Sequence, residues 1–388
     1  MVMRIAFNAT ALLSPLTGIG QYSRQLADGL VSRGDIEAGF FYGAAWSDRV
    51  RTEPFAGARH VLPWLRSHLP FAYALRRLLQ GGQFSRHATS ARFDLYHEPN
   101  ILPLPFDGPT VITVHDLSWI RYPEAHPVER VRALNRYFPA GLDRASRVLT
   151  DSAFVKQELV DLFGLPSEKI NVIPLGVESL FCPLPAAQTQ EILRRWGLVH
   201  GDYFLAVGTL EPRKNLQMAL NAYMRLPDDL RQRFPLVLAG MTGWNTSELE
   251  QQIDAMSRTA EIRQLGYLPR ADLAKVIAGA TALIFPSIYE GFGLPPLEAM
   301  ACGVPVIASN SASLPEVVGE TGVLLDPQDV DGMTQAMIWM ASTPTDRQRL
   351  GQQALERSKR FSWFACVEET VAAYRQVLSS SRKESGPF

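Results

Sequence analysis

Short apolar runs alternate with amphipathic stretches along most of this chain. Residues 5–8, 37–42, 93–97, 111–114, 147–150 and 170–173 predict strands in the first half. Residues 203–207, 236–239, 262–266, 282–285, 304–308 and 322–325 predict strands in the second. Helical spacing fills the gaps, at about 21–32, 127–144, 215–225 and 271–279, and Ser152 caps a further helix carrying Lys156 and Glu158. Strands this short and apolar suit parallel sheets buried on both faces, so the fold class is α/β, two doubly wound parallel sheets. A proline-marked stretch with weak periodicity divides them. The expected organisation is a first domain over 1–182, a linker over 183–200, a second domain over 201–360 and a final segment over 361–388.

Composition narrows the class of protein. The chain has 388 residues, 46% of them hydrophobic, and a formal net charge of −1, so nothing global points to nucleic acid. Three scattered cysteines, Cys182, Cys302 and Cys366, argue against a disulfide scaffold or a structural zinc and fit a reducing cytosol. No signal peptide and no apolar run of about 18 residues is visible, which implies a cytoplasmic chain without a spanning helix. Residues 57–93 lack Asp and Glu but hold Arg59, Arg66, Arg76, Arg77, Arg86 and Arg92, interleaved with Trp64, Leu69, Phe71, Tyr73 and Leu79. That pattern fits either an in-plane contact with an anionic membrane surface or an ordinary basic helix face packed on the first sheet.

The chemistry concentrates at residues 285–300, FPSIYEGFGLPPLEAM. A strand leads into a turn of Gly291, Phe292, Gly293 and Leu294, and Pro295 and Pro296 open a helix. Backbone N–H groups at such a helix start suit anions. Glu290 enters the turn and Glu298 follows in the helix, both acceptors for hydroxyls. The stretch therefore suits a ligand carrying phosphate and polyol groups, a nucleotide-sugar above all. Ligands of parallel α/β sheets lie beyond the carboxyl ends of the strands. Gly208, Thr209, Arg213 and Lys214 fall at such an end, where two adjacent cations suit a diphosphate. The bland alternative is a solvated basic pair, although a helix start is a mildly unfavourable place for one. His115 ends a strand and is either a structural imidazole or a site residue. Gly18 and Gly20 mark a turn, or a close approach to a ligand. Asp329 and Asp331 form a D-x-D pair that reads as capping acids rather than metal ligands.

Taken together these residues resemble the retaining family 4 (group 1) glycosyltransferases of GT-B fold, over nearly the whole chain. The most specific match is the E-x7-E stretch EGFGLPPLE, supported by AMACGVPVIAS and EPRKN. The resemblance implies two facing nucleotide-binding domains with a cleft between them and a last helix, about 363–378, that crosses back to the first. It implies that Glu290 contacts donor-sugar hydroxyls, Glu298 the ribose, and Gly291, Phe292, Gly293 and Leu294 the sugar and diphosphate. Lys214, with Arg213, would neutralise the diphosphate, His115 would lie near the transferred sugar, and Gly18 and Gly20 would close over the phosphates. Tyr267 and Leu268 would hold the base through their backbone. Many relatives carry an arginine where this chain has Thr209, a charge that Arg213 would replace.

The resemblance also implies same-face attack without a metal or other cofactor, the leaving phosphate oxygen taking the acceptor's proton. Its look is that of bacterial polysaccharide mannosyltransferases. The expected partners are GDP-mannose as nucleotide-sugar donor and a saccharide or polyprenyl-diphosphate-linked saccharide as acceptor, with a UDP-hexose transferase as runner-up. A dinucleotide oxidoreductase fits poorly, because the first glycine pair comes ten residues after Asn8 and Ser23 stands where its motif needs glycine. A non-catalytic sugar-binding module would not need Glu290, Glu298 and Lys214 together.

Overall fold

The computed structural model describes residues 2–13, 17–52, 72–241, 243, 247–257 and 261–384. The chain forms two compact units. The first comprises Met1–Asp116, Arg132–Leu175 and Trp363–Phe388, the second Leu117–Val131 and Gly176–Ser362.

In the first unit the strands are β1 (Met3–Asn8), β2 (Ile36–Phe41), β3 (Trp46–Ser47), β4 (Leu95–Glu98), β5 (Thr110–Val114), β6 (Arg147–Thr150) and β7 (Ile170–Val172). They lie in the order β3-β2-β1-β4-β5-β6-β7, parallel except for the β2–β3 pair. Every side chain of β5 is buried, as a strand covered on both faces requires. The final helix, Trp363–Glu384, belongs to this unit. Gly29 makes room for it, since a Cβ there would lie 2.5 Å from Val367. Tyr374 also ties it to the sheet through a buried chain. The Tyr374 hydroxyl lies 2.6 Å from His97 Nδ1, His97 Nε2 lies 2.8 Å from the Thr113 hydroxyl, and that hydroxyl lies 2.8 Å from Tyr22. Burial, with His115 nearby, pushes the His97 pKa down to about 3, so the chain runs through a neutral imidazole.

In the second unit the strands are β8 (Phe204–Val207), β9 (Leu236–Ala239), β10 (Ile262–Gly266), β11 (Ala282–Phe285), β12 (Val306–Ser309) and β13 (Val323–Leu325). All are parallel, in the order β10-β9-β8-β11-β12-β13. The order reverses between β8 and β11, which pair through Phe204–Ala282 and Leu205–Leu283. Beyond their carboxyl ends a crevice opens, where such sheets bind ligands. Helices Leu216–Tyr223 and Val330–Ser342 cover one face through Leu220, Tyr223, Met333 and Met337, packed on Phe204, Leu236 and Ile284.

Three boundaries differ from those expected. Residues 183–200 are not a free linker, because Ala186–Arg195 is a helix of the second unit with Thr189, Ile192 and Leu193 buried. Pro185, taken as a break, stands at its N-cap, where its fixed φ starts a helix. Residues 117–131 leave the first domain for the second unit, where Tyr289 Oη accepts the Leu117 N–H at 3.0 Å. Gly18 and Gly20 do not form a turn. They open the helix Gly18–Val31, which starts directly after Thr17 in extended conformation.

The basic stretch 57–93 is covered only in part. Arg59, Arg66, Trp64, Leu69 and Phe71 lie outside the described residues, as do the side chains of Tyr73 and Arg76. Arg77 is a structural residue, donating to the Pro103 carbonyl at 2.6 Å and sitting 5.0 Å over the Tyr137 ring. Arg86 and Arg92 are exposed.

Close contact between the ends of β8 and β9 shapes the mouth of the second unit. Gly240 has φ +157°, and a Cβ there would lie 1.8 Å from the Gly208 carbonyl oxygen. Gly201 has φ +83° with nothing near its would-be Cβ. Gly240→Ala should therefore cost about 3 kcal/mol or more and Gly201→Ala about 1 kcal/mol, read as urea midpoints. Equal midpoints for the two variants would contradict the contact.

Candidate active site

The residues from the ends of β8 and β11 meet at Glu290. Lys214 Nζ donates to Glu290 Oε1 at 2.6 Å, and Arg213 Nη1 to Oε2 at 3.1 Å. Their backbone is set by a single helical turn, Pro212–Lys214, that Asn215 ends in the left-handed conformation, φ +53°. Asn215 then donates to the carbonyls of Pro286 at 3.1 Å and Pro327 at 2.8 Å, joining the two strand ends. Glu290 is 8% exposed. Burial alone would raise its pKa, but the charge of Lys214 and then of Arg213 outweighs burial and holds it at about 2.

Arg213 is less available than its sequence position suggested. Nη2 donates to Glu211 Oε1 at 2.6 Å and Nη1 to the Tyr289 carbonyl at 2.6 Å, besides its contact with Glu290. Its guanidinium is bracketed by two carboxylates, and its place in the site is to anchor the Glu290 turn. Two cations against Glu211 and Glu290 leave the cluster neutral. Thr209 lines a small pocket with Gly208, Lys214, Pro286 and Ser287.

Gly291, Phe292 and Gly293 are buried, and Leu294 starts the helix Leu294–Ala301. The Ser313 hydroxyl holds this loop, 2.8 Å from both the Glu290 and the Phe292 carbonyls. Phe292 meets Phe361 edge-on at 5.8 Å. Gly293 adopts φ +119°, which side chains rarely reach. The free N–H groups expected at this helix start are fewer than usual, because Pro295 and Pro296 have none.

Glu298 lies on the same helix, 3% exposed. Arg270 Nη1 reaches its Oε1 at 2.7 Å. Burial raises the Glu298 pKa, and Arg270 opposes that only in part. Arg270 directly follows the loop that carries Tyr267, 48% exposed, and Leu268, 8% exposed.

His115, Gly18 and Gly20 belong to the first unit. His115 Nε2 donates to the Pro99 carbonyl at 2.9 Å, and Nδ1 meets Asp151 Oδ2 at 2.6 Å. Burial works against the imidazolium and Asp151 works for it, with the balance above the ordinary value. Both ring nitrogens are engaged within the unit, so His115 is not a free base. Asp329 caps the helix Val330–Ser342, accepting the Gly332 N–H at 2.8 Å, and Asp331 pairs with Arg225. Among the described residues no group of three or more His, Cys, Asp or Glu could hold a metal ion.

Sequence reasoning gave no role to Glu211 or Arg270, and it flagged residues 310–314, which include Ser313, only as lying close after a strand end. Glu211 and Arg270 each stand within four residues of a strand's carboxyl end, the one signal that could have found them.

Known proteins resemble this chain in sequence and fold. A family model described as glycosyl transferases group 1 matches residues 189–357, and one described as glycosyltransferase family 4 matches residues 16–179. O-antigen chain mannosyltransferase B of Escherichia coli is 37% identical, over 96% of this chain and 100% of that protein. Sucrose-phosphate synthase from Thermosynechococcus elongatus has the same fold, with TM-score 0.78 and 20% identity over 97% of this chain and 100% of that one. WaaG, a glycosyltransferase involved in lipopolysaccharide biosynthesis, matches with TM-score 0.71 and 14% identity over 95% of this chain and 98% of that one. Fold and relatives together define a glycosyltransferase of GT-B architecture. The chain belongs to the group 1, family 4 glycosyltransferases.

The fall of the Glu290 pKa from 4.5 to about 2 corresponds to about 3 kcal/mol of stability. A folded-state pKa held below the unfolded one stabilises above the unfolded value, and the gain is lost as pH falls from about 4.5 to about 2. Glu290→Gln should remove that part of the acid dependence, so urea midpoints of variant and wild type converge towards pH 2. A gap that stays constant over the window would show that Glu290 is not held ionised.

Proposed function

We propose that the chain transfers mannose from GDP-mannose, with retention of configuration, to a saccharide or polyprenyl-diphosphate-linked saccharide of a bacterial surface polysaccharide. The observation that carries this reading is the Glu290–Lys214–Arg213 cluster at the switch point of the second sheet. The full-length similarity to an O-antigen mannosyltransferase supports mannose as the sugar.

In this reading Lys214 leaves Glu290 for the incoming diphosphate, and the backbone N–H groups of Gly293 and Leu294 supplement its charge. Freed of Lys214, Glu290 accepts hydroxyls of the sugar, while Arg213 keeps the turn in place. The bond from the anomeric carbon to the phosphate oxygen breaks, and its electron pair leaves with GDP. The acceptor hydroxyl oxygen bonds to the anomeric carbon on the same face and passes its proton to the leaving phosphate oxygen. Lys214 stabilises the charge that develops there. His115 contributes as a rigid, hydrogen-bonded group rather than as a proton carrier. The reaction calls on no metal or other cofactor. The work is cytoplasmic, and contact with an anionic membrane surface through residues 57–93 would bring the enzyme to lipid-linked acceptors.

Lys214→Ala and Glu290→Ala should each lower kcat with GDP-mannose by about 100-fold or more while thermal melts still show a cooperative fold. Near-wild-type rates in either variant would overturn its role. Turnover with UDP-glucose in place of GDP-mannose would replace the donor with a UDP-hexose and leave the cluster's role standing.

A further inference from the structure

Glu298 is presented by its surroundings as well as by its helix. Arg270 opens the helix Arg270–Ala278 of the same unit, directly after Pro269. Its guanidinium is fixed on three sides. Nη1 lies 2.7 Å from Glu298 Oε1, and Nε donates to Glu178 Oε1 at 2.9 Å with Nη2 beside it. Its face lies 4.4 Å over the Phe181 ring. A planar fork held this way has little rotational freedom left to lose when a ligand arrives.

A carboxylate as buried as Glu298 needs a positive partner to stay ionised. Three titratable groups face it. Arg270 opposes the effect of burial, Glu178 adds to it, and the Cys302 thiol is itself pushed up by burial and by Glu298. Arg270 is therefore the counter-charge.

We propose that Arg270 is a positioning residue for the nucleotide: it keeps Glu298 ionised and occupies Oε1, so that Oε2 accepts the vicinal hydroxyls of the donor ribose. The assignment rests on the donor-site reading above. It also explains why an arginine stands here. The loop expected to hold the base, residues 266–269, ends at Arg270, so one side chain sets the register of base against ribose. An ionised carboxylate can accept from both ribose hydroxyls, whereas a protonated one must place its own proton.

The test compares wild type with Arg270→Met, which keeps the stem and loses the charge, and Arg270→Lys, which keeps the charge and loses the fork. Binding of GDP is measured by calorimetry from pH 5.5 to 8.5, alongside kinetics with GDP-mannose. Arg270→Met should weaken GDP roughly tenfold at neutral pH and raise KM to match, with kcat changed less than about threefold, since the ribose is remote from the reacting carbon. The weakening should deepen towards acid. Without its counter-charge Glu298 titrates at a higher pH, and affinity that needs the ionised form is lost as pH falls through that value. Arg270→Lys should recover most of the affinity at the alkaline end. In a Glu298→Gln background, Arg270→Met should add no further loss.

GDP affinity and pH dependence in Arg270→Met equal to those of wild type, with only the melting temperature lowered, would make Arg270 merely structural. If Arg270→Met does not fold, Arg270→Lys decides. A GDP curve shifted towards alkaline pH supports the assignment, and one superimposable on wild type overturns it. A wild type that binds none of GDP, UDP and ADP overturns the donor-site reading itself, whereas wild-type binding undiminished in Arg270→Met overturns this assignment alone.

Discussion

The ion pair between Lys214 and Glu290 is the constraint on which the second unit's crevice depends. It joins the loop after β8 to the loop after β11, the two strands between which the sheet changes direction. A buried pair of this kind contributes little net stability compared with apolar packing, yet leaving either partner alone is costly. Its value lies in what it fixes. With Lys214 drawn to Oε1 and Arg213 to Oε2, the Glu290 carboxylate has one orientation, and the loop carrying it is pinned again from behind by Ser313. Contacts within the unit shape the turn, so binding need not supply the energy to order it.

The two carboxylates of the E-x7-E stretch show how environment separates residues of the same type. Both are almost fully buried, at 8% and 3% exposure. Glu290 has two cations and its pKa falls. Glu298 has one, shared with Glu178, and its pKa rises. Burial pushes both the same way, so the number of uncommitted positive charges decides the sign. The same arithmetic limits Arg213, whose charge is already divided between Glu211 and Glu290.

Much of this was legible along the chain. Among the described residues, twelve of the thirteen strands follow from short apolar runs, because strands covered on both faces have little choice of composition. The two-residue β3 is too short to show a pattern. The E-x7-E stretch and Lys214 announced the site because glycine, proline and charge coincide with a strand end. What stayed hidden depends on partners distant in sequence. Arg213 reads as a phosphate ligand, and its contacts with Glu290 and the Tyr289 carbonyl are hidden by their distance along the chain. Arg270 gets no role from the sequence, because Glu178 and Glu298 converge on it from far along the chain on either side. His115 looked available, yet Asp151 and the Pro99 carbonyl occupy its ring. The helix at 186–195 was lost for another reason. Its prolines were taken as punctuation, although Thr189, Ile192 and Leu193 already stand at helical spacing.

The prolines after Gly293 bear on the division of labour at the phosphate. An ordinary helix start leaves four N–H groups unpaired, and these alone can hold an anion. Here Pro295 and Pro296 remove two of the four, leaving Gly293 and Leu294, while the prolines stiffen the entry to an eight-residue helix. In the proposed reading, a leaving diphosphate met by so few backbone donors depends on a side-chain cation, and Arg213 is already bracketed. That leaves Lys214, a compact charge on a flexible stem, suited to moving between two acceptors where a forked guanidinium is not. Glu290 then serves the site in both states. In the proposed reading it holds Lys214 in place until the donor binds, and once Lys214 turns to the phosphate it accepts sugar hydroxyls.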